Sequence, residues 1–184
     1  MAYSNLTKKY LRPAMIIFSE TEPIAGTGGD AGKWDLGTTY LYLTDDGRDS
    51  VSVQPQRIEN KQRMINGRMR SYFVADKKSF STSWENLPSR KTLTDAYDHT
   101  EPIGTRAATS DAFGAGQDIK DWYENHTGDF WMMLVYDADS TVGGASHTNQ
   151  VDVYNVFFES FSFDIIKRGQ YNDLWSVSIS LVEV

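Results

Sequence analysis

The strongest constraint on this chain lies near its C-terminal end, where Trp175, Val177, Ile179 and Leu181 alternate with Ser176, Ser178 and Ser180. Successive side chains of a strand point to opposite faces, so a strict period of two reads as a strand with one buried and one wet face. Such a strand needs neighbours. Residues 156–166 form a second apolar run with Phe157, Phe161 and Phe163 at strand spacing, and residues 167–173 (Lys-Arg-Gly-Gln-Tyr-Asn-Asp) supply turn chemistry between the two. The pair is predicted to be an antiparallel hairpin.

Six further segments read as strands: residues 14–18, 39–43, 51–57, 69–75, 78–84 and 130–136. The last is nearly continuous in apolar residues and is expected to be buried on both faces. Helical spacing occurs once, where Ile119, Trp122, Tyr123 and His126 fall at i, i+3, i+4 and i+7, with Gly128 placed to end the helix. Eight strands separated by Gly, Asp and Asn turns, with one helix of about ten residues, predict a mainly β fold. The expected form is an antiparallel β-sandwich or barrel with one short flanking α-helix.

A chain of 184 residues with 40% apolar side chains is expected to fold as one domain, residues 1–184. Three stretches stand outside the strand pattern. Residues 1–13 read as an N-terminal arm. Residues 20–33 are rich in glycine, and residues 85–116 run well beyond the ~12–15 residues usual for an unstructured loop. Leu93, Tyr97, Ile103 and Phe113 give the longer stretch apolar anchors, and Trp34 flanks the glycine-rich one. These five are the candidate subunit-interface residues, on the argument that long loops carrying anchors are ordered by a partner.

A search for catalytic or cofactor chemistry leaves no candidate. Gly26-Thr27-Gly28-Gly29-Asp30-Ala31 has the loose spelling of a dinucleotide fingerprint, but a strand-like segment follows where a helix is required. His99, His126 and His147 are far apart and not in ligand spacing, and there are no cysteines. The acidic runs 45–49 and 137–141 lack the remainder of a calcium loop and read as turns. No G-x-S-x-G elbow anchors a serine triad. The chain is accordingly expected not to be an enzyme and to hold no metal or cofactor. A net charge of −7 argues against a phosphate-neutralising surface, and no apolar run approaches the ~20 residues that cross a bilayer. Without cysteines or a secretion signal, a cytoplasmic site of synthesis is expected.

Two segments resemble a known family. Residues 70–88, closing on the corner Ser81-Thr82-Ser83-Trp84-Glu85-Asn86-Leu87-Pro88, and the closing run 171–184 are similar to tail virion proteins of tailed bacteriophages. The likeness covers about residues 68–184 and extends to the order of elements: strand pair, long loop, short helix, apolar strand, C-terminal hairpin. That order also resembles the tail-tube fold.

The resemblance implies a structural role in the virion tail, assembled in the host cytoplasm. It implies partners that are copies of the chain itself, in hexameric stacked rings, together with other tail proteins. DNA would pass through the channel without specific binding. The station in the tail, whether tube, hub, distal adaptor or terminator, stays open. The alternative is a β-sandwich that recognises a host glycan or receptor through loop aromatics such as Trp34, Tyr97 and Phe113.

Overall fold

The computed structural model describes residues 4–5, 16–26, 33–93, 106–107, 109, 113–139, 148–169 and 172–184. In chain order the strands are β1 (Ser4–Asn5), β2 (Ile16–Ser19), β3 (Ile24–Ala25), β4 (Lys33–Asp35), β5 (Tyr40–Tyr42), β6 (Ser52–Arg63) and β7 (Met69–Pro88), then β8 (Thr92–Leu93), β9 (Arg106–Ala107), β10 (Phe130–Asp139), β11 (Thr148–Lys167) and β12 (Leu174–Glu183). The helix α1 (Gly116–Asn125) lies between β9 and β10. Seven strands form one antiparallel sheet in the order β5-β2-β10-β11-β12-β7-β6; β1, β4 and β3 form a small second sheet, and β8 pairs with β9.

The mainly β expectation with one helix holds, and the large sheet stays open. Its edge strands β5 and β6 do not pair with each other. They are consecutive in the chain, and the segment between them spans the opening by local contacts. Leu43 bridges Gly114, Arg48 bridges Trp84, Asp49 N donates to Ser83 O (2.8 Å) and Glu85 N donates to Gly47 O (2.8 Å). Gly47 sits at φ +64°, and a Cβ there would lie 2.4 Å from Glu85 O, so only glycine fits this crossing.

The eight predicted segments become seven strands of the sheet because residues 69–75 and 78–84 are one strand. Asp76 and Lys77 fall between the two predicted segments, but both, with Lys78, are held in the ladder or at its edge. Asp76 faces Arg57, while Lys77 Nζ bonds Val184 O and Lys78 N donates to Glu183 Oε2 (2.9 Å). β7 also continues through Pro88, so residues 85–88 of the expected loop are strand. A bulge between Trp84 and Leu87, with Asn86 at φ 55°, lets both side chains enter the core although they are three residues apart.

The core lies on one face of the sheet. Trp175, Val177, Ile179 and Leu181 of β12 bury there with Phe18, Phe130, Met132, Phe80 and Trp84, as their alternation predicts. In β11 a bulge between Phe158 and Ser160 moves the alternation by one residue. Phe158 and Phe161 therefore pack on the core while Phe157 is left 41% exposed, against the expected common spacing of Phe157 with Phe161 and Phe163.

The other face of β2 and β10 is also covered. Ile17, Met133 and Val135 pack with Leu36, which explains the unbroken apolar run of β10.

Helix α1 seals the core face with Ile119 and Trp122. Gly116 is pressed on Trp175, where an added Cβ would lie 2.7 Å from the ring. Asp118 accepts from Ala115 N (3.0 Å) at the helix start. The helix ends at His126, two residues before the expected Gly128. His126 N donates to Trp122 O (3.0 Å), and its ring stacks on Trp122 with centroids 4.0 Å apart.

Candidate functional site

The feature with no counterpart in an ordinary core is the outer part of the β6–β7 hairpin. Pairing runs from Ser52↔Ser81 to Arg63↔Met69 with one bulge between Ile58 and Glu59, closed by a turn in which Gly67 N donates to Met64 O (2.9 Å) and Arg68 N to Asn66 Oδ1 (3.1 Å). The ladder with β12 stops at Ser79. Beyond it the hairpin has no third strand among the described residues, and residues 53–76 are exposed apart from half-buried Glu59 and Ala75. The ribbon nonetheless carries large apolar side chains: Ile58, Met64, Met69, Tyr72, Phe73, Val74 and, at the tip, Ile65 at 110% exposure. An isolated two-stranded hairpin is marginally stable, and apolar side chains displayed on one are the usual mark of a contact surface.

The ribbon is held by polar chemistry on one of its faces. Arg57 pairs with Asp76 through two hydrogen bonds, Nε to Oδ1 (2.9 Å) and Nη2 to Oδ2 (3.3 Å), and its guanidinium lies 5.8 Å from the Phe73 ring centroid. The hydrogen bond with Asp76 holds that guanidinium above its already high ordinary pKa. Glu59 accepts from Lys61 and Ser71, which hold its carboxyl below the usual range, Lys61 contributing most. These groups alternate with the opposite face, where Ile58 and Tyr72 sit among Gln54, Gln56, Asn60 and Gln62.

The base of the ribbon is clamped to the body. Lys78 Nζ donates to Tyr154 Oη (2.6 Å), and Tyr154 in turn donates to Asp152 (3.0 Å). The hydrogen bond to Tyr154 raises the Lys78 pKa, and burial chiefly raises that of Tyr154.

The structure brings together two of the five residues singled out from sequence. Trp34 and Phe113 are half-buried on the second apolar cluster with Ile17, Leu36, Met133 and Val135, and Phe113 stacks on Tyr42 with centroids 5.3 Å apart. Leu93 pairs with Arg106 in the short β8–β9 ladder. Tyr97 and Ile103 lie outside the described residues, as do the arm 1–13 for the most part, residues 27–32 of the glycine-rich stretch, His99 and His147.

The acidic run 45–49 is a turn: Asp46 N donates to Thr44 Oγ1 (3.1 Å) and Arg48 pairs with Asp45 (3.1 Å). Among the described residues there is no cluster of three or more metal-ligating side chains, and no helix is long and apolar enough to cross a membrane.

Sequence reasoning missed the ribbon, although a signal was present. Residues 60–72 contain Lys61, Arg63, Arg68 and Arg70 with no acidic residue, inside a chain whose net charge is −7. A charge window of that length separates a basic segment from an acidic remainder where the whole-chain total averages them away.

No family model matches the chain, and no curated protein is significantly similar to it.

Proposed function

We propose that this chain is a structural, self-assembling virion subunit of a phage tail. It would form rings or a tube around the DNA channel, as tail tube or as an adjacent hub or adaptor ring. The observation that carries the reading is the ribbon 53–76, which displays eight large apolar residues, Val53 among them, with no described layer of its own chain over them. Two further features support it. Among the described residues β6 leaves one edge of the large sheet without a further strand, and an exposed edge is stable in solution when a neighbour covers it. The resemblance of residues 68–184 to tail proteins supplies the setting, and an acidic body suits a channel in which DNA slides without being held.

Light scattering after size exclusion, together with negative-stain microscopy of the purified chain, tests the reading. Rings or tubes whose mass is a multiple of the 20.8 kDa protomer are expected. A monomer at the highest soluble concentration overturns it.

A further inference from the structure

Charge is segregated between the ribbon and the body. Residues 57–77 hold six basic and two acidic side chains, a net +4, which leaves −11 on the remainder. Arg57 and Lys61 are paired within the ribbon. Arg63, Arg68 and Arg70, around the tip, have no acidic partner among the described residues. They surround Met64, Ile65 and Met69, all exposed. The tip is therefore an apolar knob in a collar of arginines.

The body carries the complementary shape. A groove of about 710 Å³ lies between the end of α1, the α1–β10 connection and the middle of β11. Its floor is aromatic, with Tyr123, Phe157 and Phe158, and Glu124 and Asp129 stand in its lining, Glu124 paired with Lys120 on the exposed side of α1 (3.3 Å) and Asp129 accepting from Asn155 (2.8 Å). Glu20 adds a further carboxylate 3.2 Å from His126, another lining residue. Tyr123 and Phe157 are 40% and 41% exposed, so the aromatic floor is open to a ligand. The volume lies within the roughly 300–1,000 Å³ of clefts that seat compact ligands.

Geometry makes the contact intermolecular. Lys77 Nζ bonds Val184 O, and Val184 lines the groove, so the base of the ribbon starts at the groove's own edge. From the Gln56↔Lys77 pair to the Arg63↔Met69 pair the ribbon runs seven residues, roughly 23 Å at strand rise, which carries the tip away from its own groove.

We propose that the tip Met64–Arg70 of one copy seats in the α1–β11 groove of a second copy. Ile65 and Met64 lie over Tyr123 and Phe157, and the arginine collar meets Glu124, Asp129 and Glu20. This rests on the self-assembly reading above and deepens it by naming the two surfaces. The contact joins different patches on the two partners, so it repeats from copy to copy and builds a ring or an open stack.

The test uses two charge-reversed full-length variants, R68E/R70E on the tip and E124K/D129K in the groove. Both change exposed side chains, so circular dichroism and thermal melts should match the parent. Each variant alone should associate about tenfold more weakly or worse, with the parent's assembly also weakening in salt. An equimolar mixture should recover assembly with the two variants alternating, because the parent tip meets the parent groove and the reversed tip meets the reversed groove, and the four-substitution chain should recover assembly for the same reason. Parent-like assembly by either variant, or a mixture that stays monomeric, overturns the tip-in-groove contact while leaving self-assembly standing. A parent chain that never associates overturns both readings.

Discussion

The molecule contains two long antiparallel hairpins whose local chemistry is alike and whose fates differ. In β11–β12 the pairing runs from Val156↔Glu183 to Lys167↔Leu174, and in β6–β7 from Ser52↔Ser81 to Arg63↔Met69. Both interrupt the ladder with bulges, and both mix aromatic, aliphatic and polar residues. The first has a layer over it. Val177, Ile179 and Leu181 bury with Trp122, Phe130 and Trp84, while Ser178 and Ser180 face away. The second leaves the body at Lys78 and buries almost nothing beyond it. Hydrogen-bonded pairing is common to both, so burial, worth roughly 25 cal/mol per Å² of apolar surface, separates core from appendage.

The sharpest way to break that contrast is a matched pair of truncations. Trp84 is fully buried and its indole donates to Thr44 O (2.8 Å), so Trp84→Ala removes both packing and that hydrogen bond. A loss of about 3–5 kcal/mol in urea unfolding is expected. Phe73, 61% exposed on the ribbon, should change the same measurement by less than about 0.5 kcal/mol when truncated. Similar losses at the two sites would mean the ribbon folds as part of the core.

A smaller effect is expected at Gly116. Alanine in a helix ordinarily stabilises by up to about 1 kcal/mol over glycine, yet here the new Cβ would lie 2.7 Å from the Trp175 ring. Gly116→Ala should lower the melting temperature, at a cost of about 1–3 kcal/mol, because the helix must lift from the sheet. A raised melting temperature would show that the α1–β12 contact yields easily.

Much of the body was legible in the sequence, because burial leaves a period. Trp175 to Leu181 repeats every two residues, Ile119 to His126 follows helical spacing, and Phe130 to Val135 is apolar without a break since both faces are covered. The ribbon was not legible in that way: with no buried face it has no hydrophobic period. Asp76 and Lys77 interrupt the predicted strands because their roles are set by Arg57 and Val184, two partners distant in the chain. Phe157 and Phe161 lose their common face to a single extra residue, which composition does not announce. For the candidate site the loops drew attention through length and glycine content, whereas the exposed apolar surface lies on a regular hairpin that pattern reading treats as ordinary.

The junction offers a finer test. Lys78 Nζ reaches Tyr154 Oη at 2.6 Å where the ribbon departs, so it couples the appendage to β11. Lys78→Met should raise amide exchange along residues 70–76 by about tenfold while leaving β12 amides unchanged. Its raised pKa sets the pH dependence: the contact is complete below the ordinary lysine value and is lost as pH climbs through the higher folded one. Exchange that rises equally in both hairpins would mean that Lys78 supports the whole sheet.

The smallest expected effect is confined to the ribbon and distinguishes how the two hairpins respond to acid. Glu59 is held below the usual carboxylate range by Lys61 and Ser71, both on the ribbon itself. A depressed carboxyl stabilises above its unfolded value and loses that contribution as pH falls through the folded one. Between those limits the Ser71 and Lys61 resonances should shift and the ribbon's exchange should quicken. The buried face of the core hairpin, Trp175, Val177, Ile179 and Leu181, is apolar and should keep its amide protection. The measurement is a carboxyl-region NMR titration with Glu59→Gln as control, in which the ribbon's acid response should vanish. A response that persists in the glutamine variant would show that the ribbon's acid sensitivity does not arise at Glu59.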